Sequence, residues 1–228
     1  MGGIPPEIIE GQRRESDKKA RAAMARFEQA AKRAGISNET RTINASLAGA
    51  ADQIGRIGRR FDLIIVGQPD RQKSSADEVV DEGVLFESGR PVIFVPFIQK
   101  GGAKLDRVMI CWDGGRAATR AVADALPLLK KAKQVEVVII SGKPAKNDEV
   151  PGADLGQHLA RHGLKVDVKR ITSPDIDTPS TILSHAADSS ADMIVMGGYG
   201  HSRLREFVLG GATLGLLESM TVPVLMSH

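Results

Sequence analysis

"ADMIVMGGYGHSRLREFVLGGATLGLLESMTVPVLMS", residues 191–227, decides the fold. It opens on the apolar run DMIVMGG (192–198) and closes on VPVLMS (222–227), each of a length suited to a buried strand. Between them ATLGLLESM (212–220) reads as a helix. Two buried strands joined through a helix make a parallel crossover unit, with helices covering both faces of the sheet. The connection carries Gly197, Gly198, Gly200, Gly210 and Gly211 in the spacing G-x2-G-x9-G-G, with the cations Arg203 and Arg205 between the clusters. Glycine lets backbone N–H groups approach an anion, and a helix N-terminus adds unpaired donors and partial positive charge. The loop is therefore either a phosphate cradle or a flexible turn between strand and helix.

Upstream, the same logic extends the unit. RVMICWD (107–113), VEVVIIS (135–141) and KVDVKRI (165–171) read as strands. RAATRAVADALPLLKKAK (116–133) places Ala118, Val122, Ala125 and Leu129 on one helical face, with Pro127 inside it. GADLGQHLARHGL (152–164) is a helix, and so is TPSTILSHAADSS (178–190), with Thr178 as N-cap and Pro179 at its first position. Strand and helix alternate from 107 to 227, the pattern of an α/β sheet.

The chain also repeats itself. FDLIIVGQP (61–69) matches ADMIVMGGY (191–199), and LFESGRPVIFVP (85–96) matches LLESMTVPVLMS (216–227). Gly67 and Gly197 are 130 apart, Glu87 and Glu218 131, Pro91 and Pro223 132. The first copy holds a long helix over 6–34, a weak strand TRTI (40–43), a helix at 46–59, a strand DLIIVG (62–67), a helix near 77–88 and a strand PVIFVP (91–96). Aligned on the second, it lacks the first strand, first helix and second strand. Two domains are expected, 1–97 incomplete and 104–228 complete, joined by FIQKGGAKLD.

Bulk properties set outer bounds. Hydrophobic content of 42% and charged content of 26% fit a globular chain with a core. A net charge of +3 with interleaved signs, and aromatics at 4%, argue against a nucleic-acid partner. The single cysteine, Cys111, sits in an apolar run, which excludes a disulfide framework and suits a small buried side chain in a reducing compartment. No signal-peptide core and no window of about 18 apolar residues is present, so the expectation is a cytoplasmic protein without a membrane partner. The five histidines are dispersed; His158 and His162 stand i,i+4 on one helix, with no third ligand in sequence, and no metal site is expected of the protein alone.

The glycine series resembles the ATP-binding signature of the universal stress protein family, G-x2-G-x9-G-[ST], matched here at Gly197, Gly200 and Gly210. The "CWDGG" after the first strand and the "LLES…PVL" ending are similar to the family as well. The resemblance covers 104–228, with 5–97 as a partial second copy, and tandem members are common in that family. It implies two Rossmann-like units of the adenine nucleotide alpha hydrolase type, each with its parallel sheet, the complete one in strand order 3-2-1-4-5. It implies ATP or another adenine nucleotide as ligand, with or without Mg²⁺, and a role in stress response through nucleotide-dependent state or partner contacts. Gly197, Gly200, Gly210 and Gly211 would form the phosphate loop, and Asp113 would meet the adenine or its neighbourhood. Read from the residues themselves, His201 beside Gly200 lines that loop, and Arg203 and Arg205 either screen phosphate charge or are solvated loop cations.

Gly211 stands where the family has Ser or Thr, removing a hydroxyl donor; Thr213 either substitutes for it or packs. Asp113 has a plainer reading as the first residue of an Asp-Gly-Gly turn, and Trp112 flanks the base or fills the core. In the first copy Gly67 is followed by QPDRQKSSADEVVDEG, whose Asp77, Glu78, Asp81 and Glu82 stabilise a helix start and repel phosphate. No nucleophile, base and orienting group converge, so no catalytic residues are assigned. The alternatives are a slow nucleotide hydrolase or adenylyl-transferring enzyme, using Asp113 and His201, and a ligand-free interaction protein. The two fifth strands, apolar and at sheet edges, are expected to pair antiparallel about a pseudo-two-fold axis. The gap in the first copy favours a homodimer.

Overall fold

The computed structural model describes residues 6–68, 75–141, 152–172, 177–198 and 211–228. In chain order the elements are α1 (Pro6–Ala34), α2 (Leu47–Gly58), β1 (Ile64–Gly67), α3 (Ser75–Glu87), β2 (Val92–Val95), β3 (Arg107–Cys111) and α4 (Arg116–Leu129). There follow β4 (Gln134–Ser141), α5 (Ala153–Arg161), β5 (Val166–Thr172), α6 (Thr178–Asp188), β6 (Met193–Gly197), α7 (Gly211–Ser219) and β7 (Val224–Ser227). Residues 1–45 and 46–228 form separate compact units.

In the first unit α1 ends in a left-handed glycine, Gly35 at φ +67°, and the Ile36 N–H donates to the Ala31 carbonyl at 3.1 Å. The Thr40 hydroxyl donates to the Glu28 carboxylate at 2.8 Å. The strand expected at 40–43 does not form. Its counterpart in the repeat, β5, pairs with β4 alone. Among the described residues the first copy has no counterpart of β4, so 40–43 has no equivalent ladder to join.

The second unit is built on one seven-stranded sheet in the order β1-β2-β7-β6-β3-β4-β5. This corrects the expectation of a separate parallel sheet for each copy. All neighbours are parallel except β2 and β7, which run antiparallel and join the copies. The complete copy reads β5-β4-β3-β6-β7, the order 3-2-1-4-5.

The register at the junction shows the pseudo-symmetry directly. Ile93 lies opposite Leu225, its own counterpart in the repeat, while Val92 faces Met226 and Phe94 faces Val224. Val92 thus faces the counterpart of Phe94, and Phe94 the counterpart of Val92, as a two-fold axis through the Ile93–Leu225 pair requires. The backbone echoes it: Gln68 N–H donates to Val95 carbonyl at 2.8 Å, and the counterpart Gly198 N–H donates to Ser227 carbonyl at 2.9 Å.

Alternation along the strands sends side chains into two apolar layers. One holds Val92, Phe94, Met109, Ile194, Met196 and Val224 of the sheet with Val84 and Leu85 of α3, Ile182 of α6, and Leu216 and Leu217 of α7. The other holds Ile93, Val108, Ile110, Val137, Val195 and Leu225 with Val122, Ala125 and Leu129 of α4 and Leu159 of α5. Helices α2 and α3 cross closely because Gly83 has no Cβ to meet that of Ala51, 2.7 Å from where one would stand. Pro127 does not break α4, which continues to Leu129. The N-cap of α6 is Asp177, with Thr178 as its first residue, one position earlier than the sequence pattern suggests.

Candidate functional site

The order of the sheet reverses between β3 and β6, whose last paired residues are Cys111 and Met196. Both strands are parallel, so their carboxyl ends open on the same edge of the sheet, where a crevice forms in folds of this kind. Asp113 follows β3 by two residues, and Gly197 is the last residue of β6. These two predicted residues are brought to neighbouring strand ends.

Gly197 is fixed there by sterics. A Cβ on it would lie 2.5 Å from the Ala118 nitrogen and 2.8 Å from the Ala117 carbonyl carbon, both backbone atoms of the first turn of α4. Its lack of a side chain lets the N-terminus of α4 sit directly over the end of β6. That places first-turn N–H groups of α4, whose N-cap Gly115 offers no side-chain cap, beside the reversal point.

Asp113 is exposed, and its Oδ1 accepts the Gly115 N–H at 2.7 Å. The carboxylate therefore does turn work at the entry to α4, the plainer of its two readings, while keeping a second oxygen. Trp112 is half-buried and packs against the α4–α5 layer, so the core reading describes it. Burial pushes the Cys111 thiol up to about 12, which keeps it protonated and removes it as a nucleophile at neutral pH.

The helix that follows the glycine series, α7, begins at Gly211. Thr213, Leu216, Leu217 and Met220 are buried at helical spacing, so Thr213 (4% exposed) belongs to the packed stripe of α7. Gly200, His201, Arg203, Arg205 and Gly210 lie outside the described residues, as does the side-chain environment of Gly211.

His158 and His162 are exposed and stack edge to face at 4.8 Å between ring centroids. Among the described residues no group of three or more His, Cys, Asp or Glu gathers as a metal site. Two polar contacts were not anticipated from sequence. His185 on α6 meets Glu136 of β4 at 2.9 Å, both largely buried. Gln68, buried after β1, donates from Nε2 to the Leu217 and Glu218 carbonyls at the end of α7, at 2.8 and 3.0 Å. Only the repeat alignment, which sets Gln68 opposite Gly198, marks position 68 at all.

Residues 104–228 match the model of the Universal stress protein family. The chain belongs to the universal stress protein family. Universal stress protein Slr1230 of Synechocystis is 24% identical over 171 residues, covering 72% of this chain and 57% of its own length. The chain thus spans under two thirds of that relative. A universal stress protein from Archaeoglobus fulgidus superposes with a TM-score of 0.72 at 21% identity, over 99% of this chain and 80% of that one. A putative universal stress protein from Pseudomonas aeruginosa gives 0.56 at 16% identity, over 90% and 76%. These structures share the fold. Among the described residues no helix is long and apolar enough to cross a membrane.

Proposed function

We propose that this universal stress protein binds an adenine nucleotide at the carboxyl ends of β3 and β6 and signals through that bound state. The observation that carries the reading is Gly197: its contact with the first turn of α4 sets helix N–H donors beside the strand end from which the glycine series departs. Phosphate would be held by backbone donors of that series and by the start of α7 at Gly211. Adenine would lie toward Asp113, whose second carboxylate oxygen can accept from an amino group. Any Mg²⁺ would arrive on the phosphates, since one carboxylate plus phosphate oxygens suits that ion better than a protein cage.

Turnover is proposed to be slow or absent, because the described part of the site offers no base and nucleophile in contact. A ligand-free reading has its own support. Asp113 is engaged in a turn and Thr213 in a packed stripe, so both have structural duties. The two readings part in a single experiment, mass spectrometry of small molecules released from the purified chain. An adenine nucleotide at near-stoichiometric yield supports binding; its absence, together with no uptake of added ATP, supports the other. Restoring the family hydroxyl with Gly211→Ser is expected to tighten ATP by about 0.5–1.5 kcal/mol, the usual net worth of one hydrogen bond. We also propose a homodimer, in which a second copy covers the exposed apolar face of β1 at Ile65.

A further inference from the structure

The two copies differ directly after their fourth-strand glycine: Gln68 stands where the second copy has Gly198. The replacement makes a contact that glycine cannot. Gln68 is held by its own N–H to the Val95 carbonyl at 2.8 Å, and its Oε1 accepts the Phe97 N–H at 3.0 Å. Its amide nitrogen then reaches across the pseudo-two-fold to the carbonyls of Leu217 and Glu218. An oxygen facing an N–H and a nitrogen facing two carbonyls leave one sensible orientation of the amide.

Those carbonyls belong to the last turn of α7, where a helix has no partners of its own. The apolar stripe of Thr213, Leu216, Leu217 and Met220 sets which face of α7 is buried. Packing of that stripe, with Gly215 close against Pro179 of α6, holds α7 from the side, and the directional bonds to its end carbonyls add a constraint along its axis. With nine residues, α7 is about 13 Å long, a single short run of hydrogen-bonded turns. Holding its last turn therefore helps set the height of its first residue, Gly211, directly after the glycine series.

We propose that Gln68 is a positioning residue for the nucleotide cradle, acting through α7. The inference rests on the nucleotide reading above. The degenerate copy, on this account, is a fixed bracket for the binding helix, and Gln68 is its clamp.

The test uses the whole chain with Gln68→Met, which removes all side-chain bonds at similar length, and Gln68→Glu. The latter keeps an acceptor for Phe97 and loses both donors. ATP affinity and amide hydrogen exchange are measured at a temperature where circular dichroism shows every variant folded. The expected result is ATP binding weakened roughly three- to thirtyfold in both variants. Exchange should also quicken at Gly215 and Leu216, whose amides bond back to the first turn of α7. Unchanged affinity, with faster exchange confined to residues 217–220, would reduce Gln68 to a local helix cap and overturn the proposal. If the unmodified chain takes up no ATP at millimolar concentration, the nucleotide reading fails instead, and exchange at Gly215 and Leu216 alone decides whether Gln68 sets the helix.

Discussion

At the residue scale, Gly197 seats the end of β6 against the first turn of α4. The glycine spacing marks it as part of a loop, but the reason for glycine is the backbone of α4, 2.5 Å from where a Cβ would stand. Neither neighbour is a flexible side-chain tip, so neither can swing aside. Gly197→Ala is expected to destabilise the fold by roughly 1–3 kcal/mol, as overpacking does, readable in a urea melt. An unchanged midpoint would mean that α4 does not rest on β6 as described. Asp113 was legible as a strand-end residue and as a turn former; its bond to the Gly115 N–H identifies the second role. Gln68 was not legible. A sequence alignment of the copies registers only that they differ there, and the contact, two carbonyls 149 and 150 residues away, exists only once the strands are paired.

At the element scale, apolar runs predicted β3, β4, β6 and β7 within two residues at each end, because each run is about as long as its strand, and the alternation of KVDVKRI predicted the half-exposed edge strand β5. The failure at 40–43 has the opposite cause. A strand is a property of a pair, and a segment with moderate propensity and no neighbour stays unpaired. The antiparallel junction of β2 and β7 followed from an argument about edges, and the register adds its centre, the Ile93–Leu225 pair. Leu225 is fully buried and Ile93 nearly so. Leu225→Ala should therefore cost about 2–5 kcal/mol, the range for a buried leucine whose site cannot collapse. Calorimetry giving a single transition, lowered as a whole, would show that both copies melt together across this pair. A second, unshifted transition from the β1–β2 half would show that the junction does not couple them.

At the scale of the whole molecule, one sheet presents two unlike edges. β5 carries exposed Asp167 and Lys169, the kind of charge that discourages strand addition. β1 offers Ile64, Ile65 and Val66, with Ile65 64% exposed, although its counterpart Val195 is fully buried beneath α4. Among the described residues the first copy has no helix equivalent to α4, and this is the place the proposed homodimer would cover. Ile65→Lys should leave the stability of the single chain within about 0.5 kcal/mol, as surface changes do. By light scattering it should convert a species of twice 24.3 kDa to one of 24.3 kDa. A single-chain mass for the unmodified protein at micromolar concentration would end the dimer proposal. The family and the α/β class were legible in residues 104–228, the order 3-2-1-4-5 came with the family resemblance, and the join of the two copies followed from the pairing expected of their fifth strands. The glycine series after β6 is proposed to hold a nucleotide by its backbone, and a calorimetric titration of ATP into the intact chain and into Gly210→Val measures this. Saturable binding of one nucleotide per chain is expected, lost in Gly210→Val while the circular dichroism spectrum is kept. Equal ATP affinity in the two proteins would rule out a backbone phosphate cradle.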